Sequence, residues 1–394
     1  MNTPTRDQLE ARLQYPLGDV LPEPGRALAV APGVKWVRMG LPFALDHINL
    51  WLLRDTLDGR EGWSVVDTCV SREEAKAQWE QVFAHELDGL PVLRVIVTHM
   101  HPDHIGLAQW LCERWSGDPG AEPPQAGVSP QTRQDPGPSP VLGQRPAQRR
   151  SVGACHLWVS ATDYNMARIG SQSTTGFGGA SAARFFRAHG LTDPDSLDKI
   201  RDRASYYPSL VPGVPAQFHR LLDGQAVTIG GRQWRCIAGY GHAPEHIALF
   251  CGELRVLISG DMVLPRISTN VSVYDVEPES DPLALFLDSL QRYRPLPADT
   301  LVLPSHGKPF TGLNERIDQL EAHHAERLAE LLSACRKRPS SAWDIIPVLF
   351  PRALDLHQIT FAMGEAVAHL NRLWLAGALH RERDANDVWR FSPR

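Results

Sequence analysis

The chain has 394 residues, of which 43% are hydrophobic and 22% are charged, a composition typical of a globular protein with one large domain or two unequal ones. It excludes a collagen-like, coiled-coil or wholly disordered chain. The 40 Lys and Arg residues against 45 Asp and Glu residues give a formal charge of -5, so the charge balance predicts neither a nucleic-acid surface nor an anionic-membrane surface.

The N-terminus contains acidic side chains and lacks a long apolar core, so it fits neither a secretory signal nor a transit peptide. The longest apolar run, residues 92–97, includes an arginine and is far too short to span a membrane. We therefore expect a cytoplasmic protein without a membrane partner. The six cysteines are spread singly with no CxxC pair, which favours buried reduced thiols over a disulfide framework or a zinc knuckle.

The first third of the chain alternates short apolar runs with turns. Runs rich in Val, Ile, Leu and Trp predict strands at Trp36–Met39, Ile48–Leu53, Trp63–Val66 and Leu93–Val97. Between the last two, Ser71 and Glu74 form a capping-box pattern, which predicts a helix that ends near Leu87. This segment is therefore a predicted strand, helix, strand unit.

Residues 116–150 contain eight Pro, five Gly and five Gln but only three large apolar residues. Such a segment cannot bury enough apolar surface to offset the entropy lost on ordering. We predict a mobile insertion, either a tolerated expansion of a surface loop or a tether for a partner.

A second strand-rich region follows residue 200. Strands are predicted at Phe218–Leu222, Ala226–Ile229, Gln233–Ala238, Ile247–Phe250, Val256–Ile258 and Leu301–Leu303. Helices are predicted at about 282–292 and 314–337. Two strand-rich halves with interspersed helices predict an α/β layered fold over residues 1–312.

The C-terminal residues 313–394 predict a small, mainly helical domain. Apolar positions between Leu313 and Cys335 recur at helical spacing, and two further helical stretches precede a strand-turn-strand pattern. Helices followed by a hairpin are compatible with a winged-helix-like appendage. Residues 314–394 hold 11 Lys and Arg against 11 Asp and Glu, so packing or homodimerisation is favoured over nucleic-acid binding.

Potential metal ligands cluster directly after the predicted strand Leu93–Val97, in the sequence THMHPDH. Alternate residues at a strand end point the same way, so His99 and His101 can contact one cation. Asp103 and His104 begin the following helix and then face a second position. Four more segments place ligand-type residues after apolar strands, namely Asp67, the pair His242 and His246, Asp261, and His306.

The ordered motifs VDT, THMHPDH, GHAPEH, SGD and PSHG, within roughly residues 30–310, resemble those of the metallo-β-lactamase superfamily, above all its glyoxalase II-like branch. The resemblance implies an αββα sandwich with two metal positions. One metal would be bound by His99, His101 and His242, the other by Asp103, His104 and His306, with Asp261 bridging the two. Asp67 would orient a ligand imidazole, and His246 would make a structural hydrogen bond.

These ligands suit two divalent transition-metal ions, with Zn²⁺ expected and Fe or Mn as alternatives. A water shared between two cations becomes hydroxide near neutral pH, and Asp103 can accept a proton. Two residues depart from the family pattern: Cys69 stands where Gly usually follows Asp-Thr, and Glu245 where Gly usually precedes the second histidine. Cys69 would place a thiol near the metal site, and Glu245 would place a negative charge near the entrance to the site. The alternative is that both residues are loop variation without a function.

The leading hypothesis is a dinuclear metal hydrolase that opens a thioester, lactone or carboxylic ester of a small-molecule substrate. The bridging Asp261 disfavours a true β-lactamase, and His101 disfavours a flavodiiron protein, which has Glu there. A mononuclear iron persulfide dioxygenase, which uses only the first ligand set, stays open, as does a phosphodiesterase or ribonuclease. A metal-bound binding module is disfavoured by the complete ligand set. We expect substrate contacts from residues 164–186, residues 203–210 and the C-terminal domain.

Overall fold

The computed structural model of the chain describes residues 5–116, 153–173, 178–203 and 205–394, which form two β-sheets, a C-terminal hairpin and surrounding helices. The predicted insertion at 116–150 lies outside the described residues apart from Ser116. Among the described residues, no helix is both long and apolar enough to cross a bilayer.

The first sheet has seven strands in sequential order: β1 (Ala27–Ala31), β2 (Val34–Gly40), β3 (His47–Leu57), β4 (Arg60–Val66), β5 (Val92–Ile96), β6 (His156–Val159) and β7 (Phe218–Arg220). Strands β1 to β4 pair antiparallel, and β4 to β7 pair parallel. Side chains of β3 alternate between two cores, with Leu50 and Leu52 on one face and Trp51 and Leu53 on the other. This period of two identifies a strand buried on both faces.

The second sheet has five strands in the order β12, β11, β10, β9, β8. They are β8 (Ala226–Ile229), β9 (Arg232–Gly239), β10 (His246–Cys251), β11 (Val256–Gly260) and β12 (Leu301–Pro304). Only β11 and β12 pair parallel. Both sheets carry apolar side chains on both faces. The sheets cover each other on their inner faces, so each needs a layer of helices on its outer face, which gives four layers.

Three apolar clusters define those layers. One holds residues of both sheets and lies between them, including Trp36, Trp51, Trp234, Leu249 and Ile258. The described helices of the first half are, in chain order, α1 (Arg6–Glu10), α2 (Glu73–Glu86), α3 (Pro102–Ile105), α4 (Ala108–Arg114), α5 (Ala161–Gly170), α6 (Gly179–Ala188), α7 (Pro194–Arg201) and α8 (Tyr206–Leu210). Among them, α2, α4 and α5 cover the outer face of the first sheet. The αββα sandwich predicted from the motifs is thus confirmed.

A buried ion pair connects the two sheets. Arg94 of β5 donates to Asp55 of β3 at 2.6 Å and to the carbonyl of Thr228 in the second sheet at 2.7 Å, and both charged side chains are buried. Asp55 also accepts from the main-chain N–H of Gly230 at 2.9 Å. Satisfied buried pairs of this kind fix how the sheets are placed relative to each other, even where their net stabilisation is small.

The C-terminal region packs on the outer face of the second sheet. It follows α9 (Pro282–Gln291) and contains α10 (Leu313–Lys337), α11 (Ala342–Leu349), α12 (Leu356–Leu375) and the hairpin β13 (Leu379–Arg383) and β14 (Trp389–Pro393). One cluster joins Leu257 and Val302 of the sheet to Phe286 of α9, Ile317 of α10 and Ala366 of α12. The predicted helices and hairpin are present, whereas the winged-helix assignment and the boundary at residue 312 stay predictions.

The predicted strands and helices match observed elements, with ends that differ by a few residues. The Ser71 capping box is wrong. The helix is capped at Arg72 without a side-chain hydrogen bond, and the main-chain N–H of Ser71 donates to the carbonyl of Leu210 at 2.9 Å. This tertiary contact holds Ser71 outside the helix. The strands β1 and β6 and the helices α5 to α8 are further elements of the fold that the sequence patterns left unassigned.

Candidate metal centre

Seven candidate ligands converge where strands of both sheets end. His99, His101, Asp103 and His104 follow β5 of the first sheet. The other three, His242, Asp261 and His306, follow β9, β11 and β12 of the second sheet. The centre therefore lies at one edge of the sandwich, between the two halves of the chain.

The first group consists of three imidazoles. His99 Nε2 lies 2.9 Å from His101 Nδ1 and 3.1 Å from His242 Nε2, and the last two nitrogens are 3.1 Å apart. Three ring nitrogens that converge on one point in this way match the geometry of a cation bound by three histidines.

The second group consists of Asp103, His104 and His306. Asp103 Oδ2 lies 3.5 Å from His104 Nε2 and 3.4 Å from His306 Nε2. Asp261 connects the groups, since its Oδ1 lies 3.6 Å from His104 Nε2 while its Oδ2 lies 3.2 Å from His242 Nε2. A carboxylate placed between two ligand groups can bridge two metal ions.

Three atoms of these groups are buried without a hydrogen-bond partner among the described residues: His104 Nε2, His306 Nε2 and Asp261 Oδ1. Orphaned polar atoms in the interior are costly, and convergent ones indicate a place where an ion would bind. The donor set of imidazole and carboxylate suits divalent transition metals. The residues present therefore fit two metal ions.

Burial and neighbouring charges shift the pKa values of the candidate ligands in opposite directions. Burial and the neighbouring His242 lower the pKa of His101 to about 3. Burial would also lower the pKa of His306, but the carboxylates of Asp261 and Asp103 raise it to about 10. Burial alone would raise the pKa of Asp103, but the neighbouring His104 and His306 have a larger effect and lower the pKa to about 2. The carboxylates thus attract positive charge to the second group, as a metal-ion site requires.

Asp67 holds the first loop in place, in the position the sequence suggested. It accepts from the main-chain N–H of Thr98 at 2.8 Å, and its Oδ2 lies 2.8 Å from His104 Nδ1. The second contact turns His104 Nε2 toward the second group. Asp67 itself adopts a left-handed φ of 62° directly after β4, which directs the carboxylate back toward the loop.

His246 is buried beside the ligands but belongs to neither candidate ligand group. Its Nε2 accepts from the main-chain N–H of Asp261 at 3.2 Å, so the ring helps place the bridging carboxylate. Gly260 makes this contact possible because its φ is +54° and an added Cβ would lie 2.1 Å from His246 Nε2.

Two supporting residues escaped the sequence patterns. The carbonyl of His47 accepts from His306 Nδ1 at 2.7 Å, and its ring accepts from the N–H of Gly307 at 2.8 Å. Asp163 of α5 accepts from the N–H of Met100 at 2.8 Å and from that of Glu245 at 2.6 Å. The only sequence signal for Asp163 is the Ser-x-x-Asp pattern after β6, because main-chain partners leave no motif.

The departures at positions 69 and 245 do not reach the cavity above the ligands. Cys69 is fully buried in the apolar cluster under the first sheet, and burial raises the pKa of its thiol to about 12. Its φ of 73° explains why glycine is usual at this position. Glu245 Oε2 accepts a hydrogen bond from Thr162 at 2.9 Å on the surface.

A cavity of about 720 Å³ opens above the ligands. Its walls come from residues 41–45, from residues 264–274 and from residues 350–365 of the C-terminal region. Most of the wall is apolar, including Leu41, Phe43, Leu264, Ile267, Phe350, Leu354 and Phe361. Large, mainly apolar cavities with a few polar groups are typical of small-molecule sites.

Only some of the segments predicted to contact the substrate line the cavity. Tyr206 lines the cavity, and His357 stacks on Phe43 with ring centroids 6.0 Å apart, which joins the C-terminal wall to the N-terminal one. Tyr207 does not line the cavity, since its hydroxyl donates to the carbonyl of Met100 at 2.5 Å. No residue of the described part of 164–186 lines it, and the walls at 41–45 and 264–274 were not predicted.

Comparison with known proteins agrees with this geometry. Residues 44–306 match the metallo-beta-lactamase superfamily, and residues 328–394 match a metallo-beta-lactamase-like C-terminal domain. A beta-lactamase domain protein from Burkholderia ambifaria is 51% identical, with a TM-score of 0.84 over 98% of this chain and 99% of that one. The chain belongs to the metallo-β-lactamase superfamily and is a metal-dependent hydrolase.

Curated relatives are more distant. The probable metallo-hydrolase YqjP of Bacillus subtilis is 22% identical over 360 residues, which covers 90% of this chain and 96% of that protein. An atrochrysone carboxyl ACP thioesterase of Aspergillus aculeatus is 26% identical over 145 residues, which covers 36% of this chain and 43% of that protein. The assignment to a glyoxalase II-like branch stays a prediction.

Proposed function

We propose that the protein is a dinuclear metal hydrolase that cleaves an ester-like bond, a thioester, lactone or carboxylic ester, of a small molecule with an apolar body. The observation that carries this proposal is the position of Asp261 between two complete ligand groups at the floor of a largely apolar cavity. The name of the Aspergillus relative, a thioesterase, supports an ester-like bond.

Two divalent cations bound here would lower the pKa of a coordinated water and polarise the carbonyl of the substrate. Zn²⁺ is the proposed metal, with Fe or Mn as alternatives. The chain supplies the orientation of the ligands. Asp67 and the carbonyl of His47 fix His104 and His306, and the carbonyl of Asn270 accepts from His242 Nδ1 at 2.7 Å.

Asp103 has a second role in this proposal. Its side chain lines the cavity, so its carboxylate lies beside the reacting atoms and can accept a proton there. The second ligand group is complete, which disfavours a mononuclear dioxygenase. The apolar walls of the cavity and the balanced charge of residues 314–394 disfavour a phosphodiesterase or ribonuclease.

A hydrolysis panel tests the proposal. Protein loaded separately with Zn²⁺, Mn²⁺ or Fe²⁺ is assayed on thioesters, lactones, carboxylic esters and phosphodiesters of matched apolar groups. We expect turnover of the ester-like substrates, lost in His99→Ala purified in parallel. Preferential cleavage of a phosphodiester or of RNA, also lost in His99→Ala, would replace the proposal with the nuclease alternative.

A further inference from the structure

Glu365 of α12 places a carboxyl group from the C-terminal region in the wall of the cavity. Its Oε2 accepts a hydrogen bond from Asn270 Nδ2 at 3.2 Å. Its Oε1 has no hydrogen-bond partner among the described residues, yet it is not sealed from solvent. One oxygen is therefore available to a ligand in the cavity.

Asn270 connects this carboxyl group to the metal centre. Its side-chain oxygen accepts from Ser272 Oγ at 2.7 Å, which leaves its amide N–H to donate to Glu365. Its main-chain carbonyl accepts from His242 Nδ1 at 2.7 Å. A single residue thus separates Glu365 from the first ligand group, and both line the same cavity, so Glu365 lies within reach of a substrate whose scissile carbonyl lies at the ligands.

The surroundings of Glu365 in the cavity wall are mainly apolar. Phe361 and Ala362 of the same helix and Leu264 and Ile267 opposite contribute apolar wall. Burial raises the pKa of Glu365 to about 7, while Asn270 and Arg327 act in the opposite direction. The guanidinium of Arg327 itself hydrogen bonds to Glu330 at 3.0 Å. A carboxyl group in an apolar wall is a specific polar contact for a ligand that carries a hydrogen-bond donor.

We propose that Glu365 determines specificity by accepting a hydrogen bond from a hydroxyl or amide N–H that the substrate carries close to its scissile carbonyl. The preferred substrates are then hydroxyacyl esters or thioesters and similar donor-bearing acyl compounds. This inference rests on the proposed ester-type hydrolysis. A substrate without the donor leaves Glu365 unpaired, and sites built around a hydrogen bond discriminate strongly against such analogues.

A matched pair of thioesters tests the inference. Butanoyl and 3-hydroxybutanoyl thioesters of N-acetylcysteamine differ only in the hydroxyl group. At a pH well above 7, where Glu365 is ionised, we expect kcat/KM of the metal-loaded protein to be about 10- to 100-fold higher for the hydroxylated one, the range for a hydrogen bond to a charged group. Glu365→Leu should abolish this preference, and Glu365→Gln, which keeps one acceptor oxygen, should retain part of it.

Glu326→Gln serves as the matched control, because Glu326 is exposed on α10 of the same region and should leave the preference unchanged. Metal content and circular dichroism check that each variant is folded. Hydrolysis of both thioesters with equal kcat/KM, or a preference that survives in Glu365→Leu, would overturn the inference and leave the proposed function standing.

Binding of the product acids separates the two proposals. Calorimetric titration of the metal-loaded protein with 3-hydroxybutanoate and with butanoate needs no turnover. We expect tighter binding of the hydroxylated acid to the wild type and equal binding of both acids to Glu365→Leu. Equal binding to the wild type refutes the inference whatever the assays show, whereas tighter hydroxyacid binding without hydrolysis of any ester-like substrate refutes only the proposed function.

Discussion

Replacing Asp163 with Asn should weaken metal binding although the residue is not a candidate ligand. The Asp163 carboxylate receives the N–H groups of Met100 and Glu245, which lie in the two loops that supply the first ligand group. Asn keeps one acceptor oxygen and turns an NH₂ group toward the other N–H, which leaves a buried donor unpaired. That defect costs about 1–3 kcal/mol, and loss of such a supporting partner lowers metal affinity about 10- to 100-fold.

The control for this variant is Thr162→Ala. It removes the contact between Thr162 and Glu245 at 2.9 Å, which joins α5 to the loop of Glu245 at the surface. Metal affinity is measured by competition with a chelating dye, and stability by thermal unfolding. Burial raises the pKa of Asp163 to about 6, so both assays are run well above that pH, where the wild-type carboxylate is ionised. Metal affinity in Asp163→Asn equal to that of the wild type and of Thr162→Ala would refute the reasoning.

Three further outcomes follow from the sequence and from the described geometry. The wild type should contain two transition-metal ions per chain. Asp103→Ala should contain one ion, keep its fold and lose nearly all turnover. Elemental analysis that finds one ion in the wild type would contradict this. Replacing residues 118–149 with a short linker should leave solubility and metal content unchanged, and loss of soluble protein would show that they contribute to packing. Cys69, whose pKa burial raises to about 12, should resist thiol reagents until the protein unfolds; modification of folded protein in mass spectra would contradict its burial.

The candidate ligands could be predicted because each follows an apolar strand, and strand ends on one side of a sandwich lie together. Asp67 could be placed for the same reason, since it directly follows β4 beside the first loop. Residue type carries this information directly: a histidine or a carboxylate after a buried strand has few structural uses.

The supporting contacts and much of the cavity could not be predicted in the same way. His47 and Asn270 orient ligands through main-chain carbonyls, which every residue possesses. The walls at residues 41–45 and 264–274 are loops whose position depends on how the two sheets pack. The Ser71 pattern failed for a related reason, because a tertiary hydrogen bond to Leu210 outweighed a local preference.

The division of the ligands between two sheets sets an order for assembly during synthesis. His99, His101, Asp103 and His104 leave the ribosome long before His306, and each ligand group includes residues of both sheets. The emerging first half can therefore hold at most an incomplete site, open to any cation that tolerates fewer ligands. Both ligand groups are complete only after the second sheet has docked on the first, so we expect metal loading to be a late step of folding.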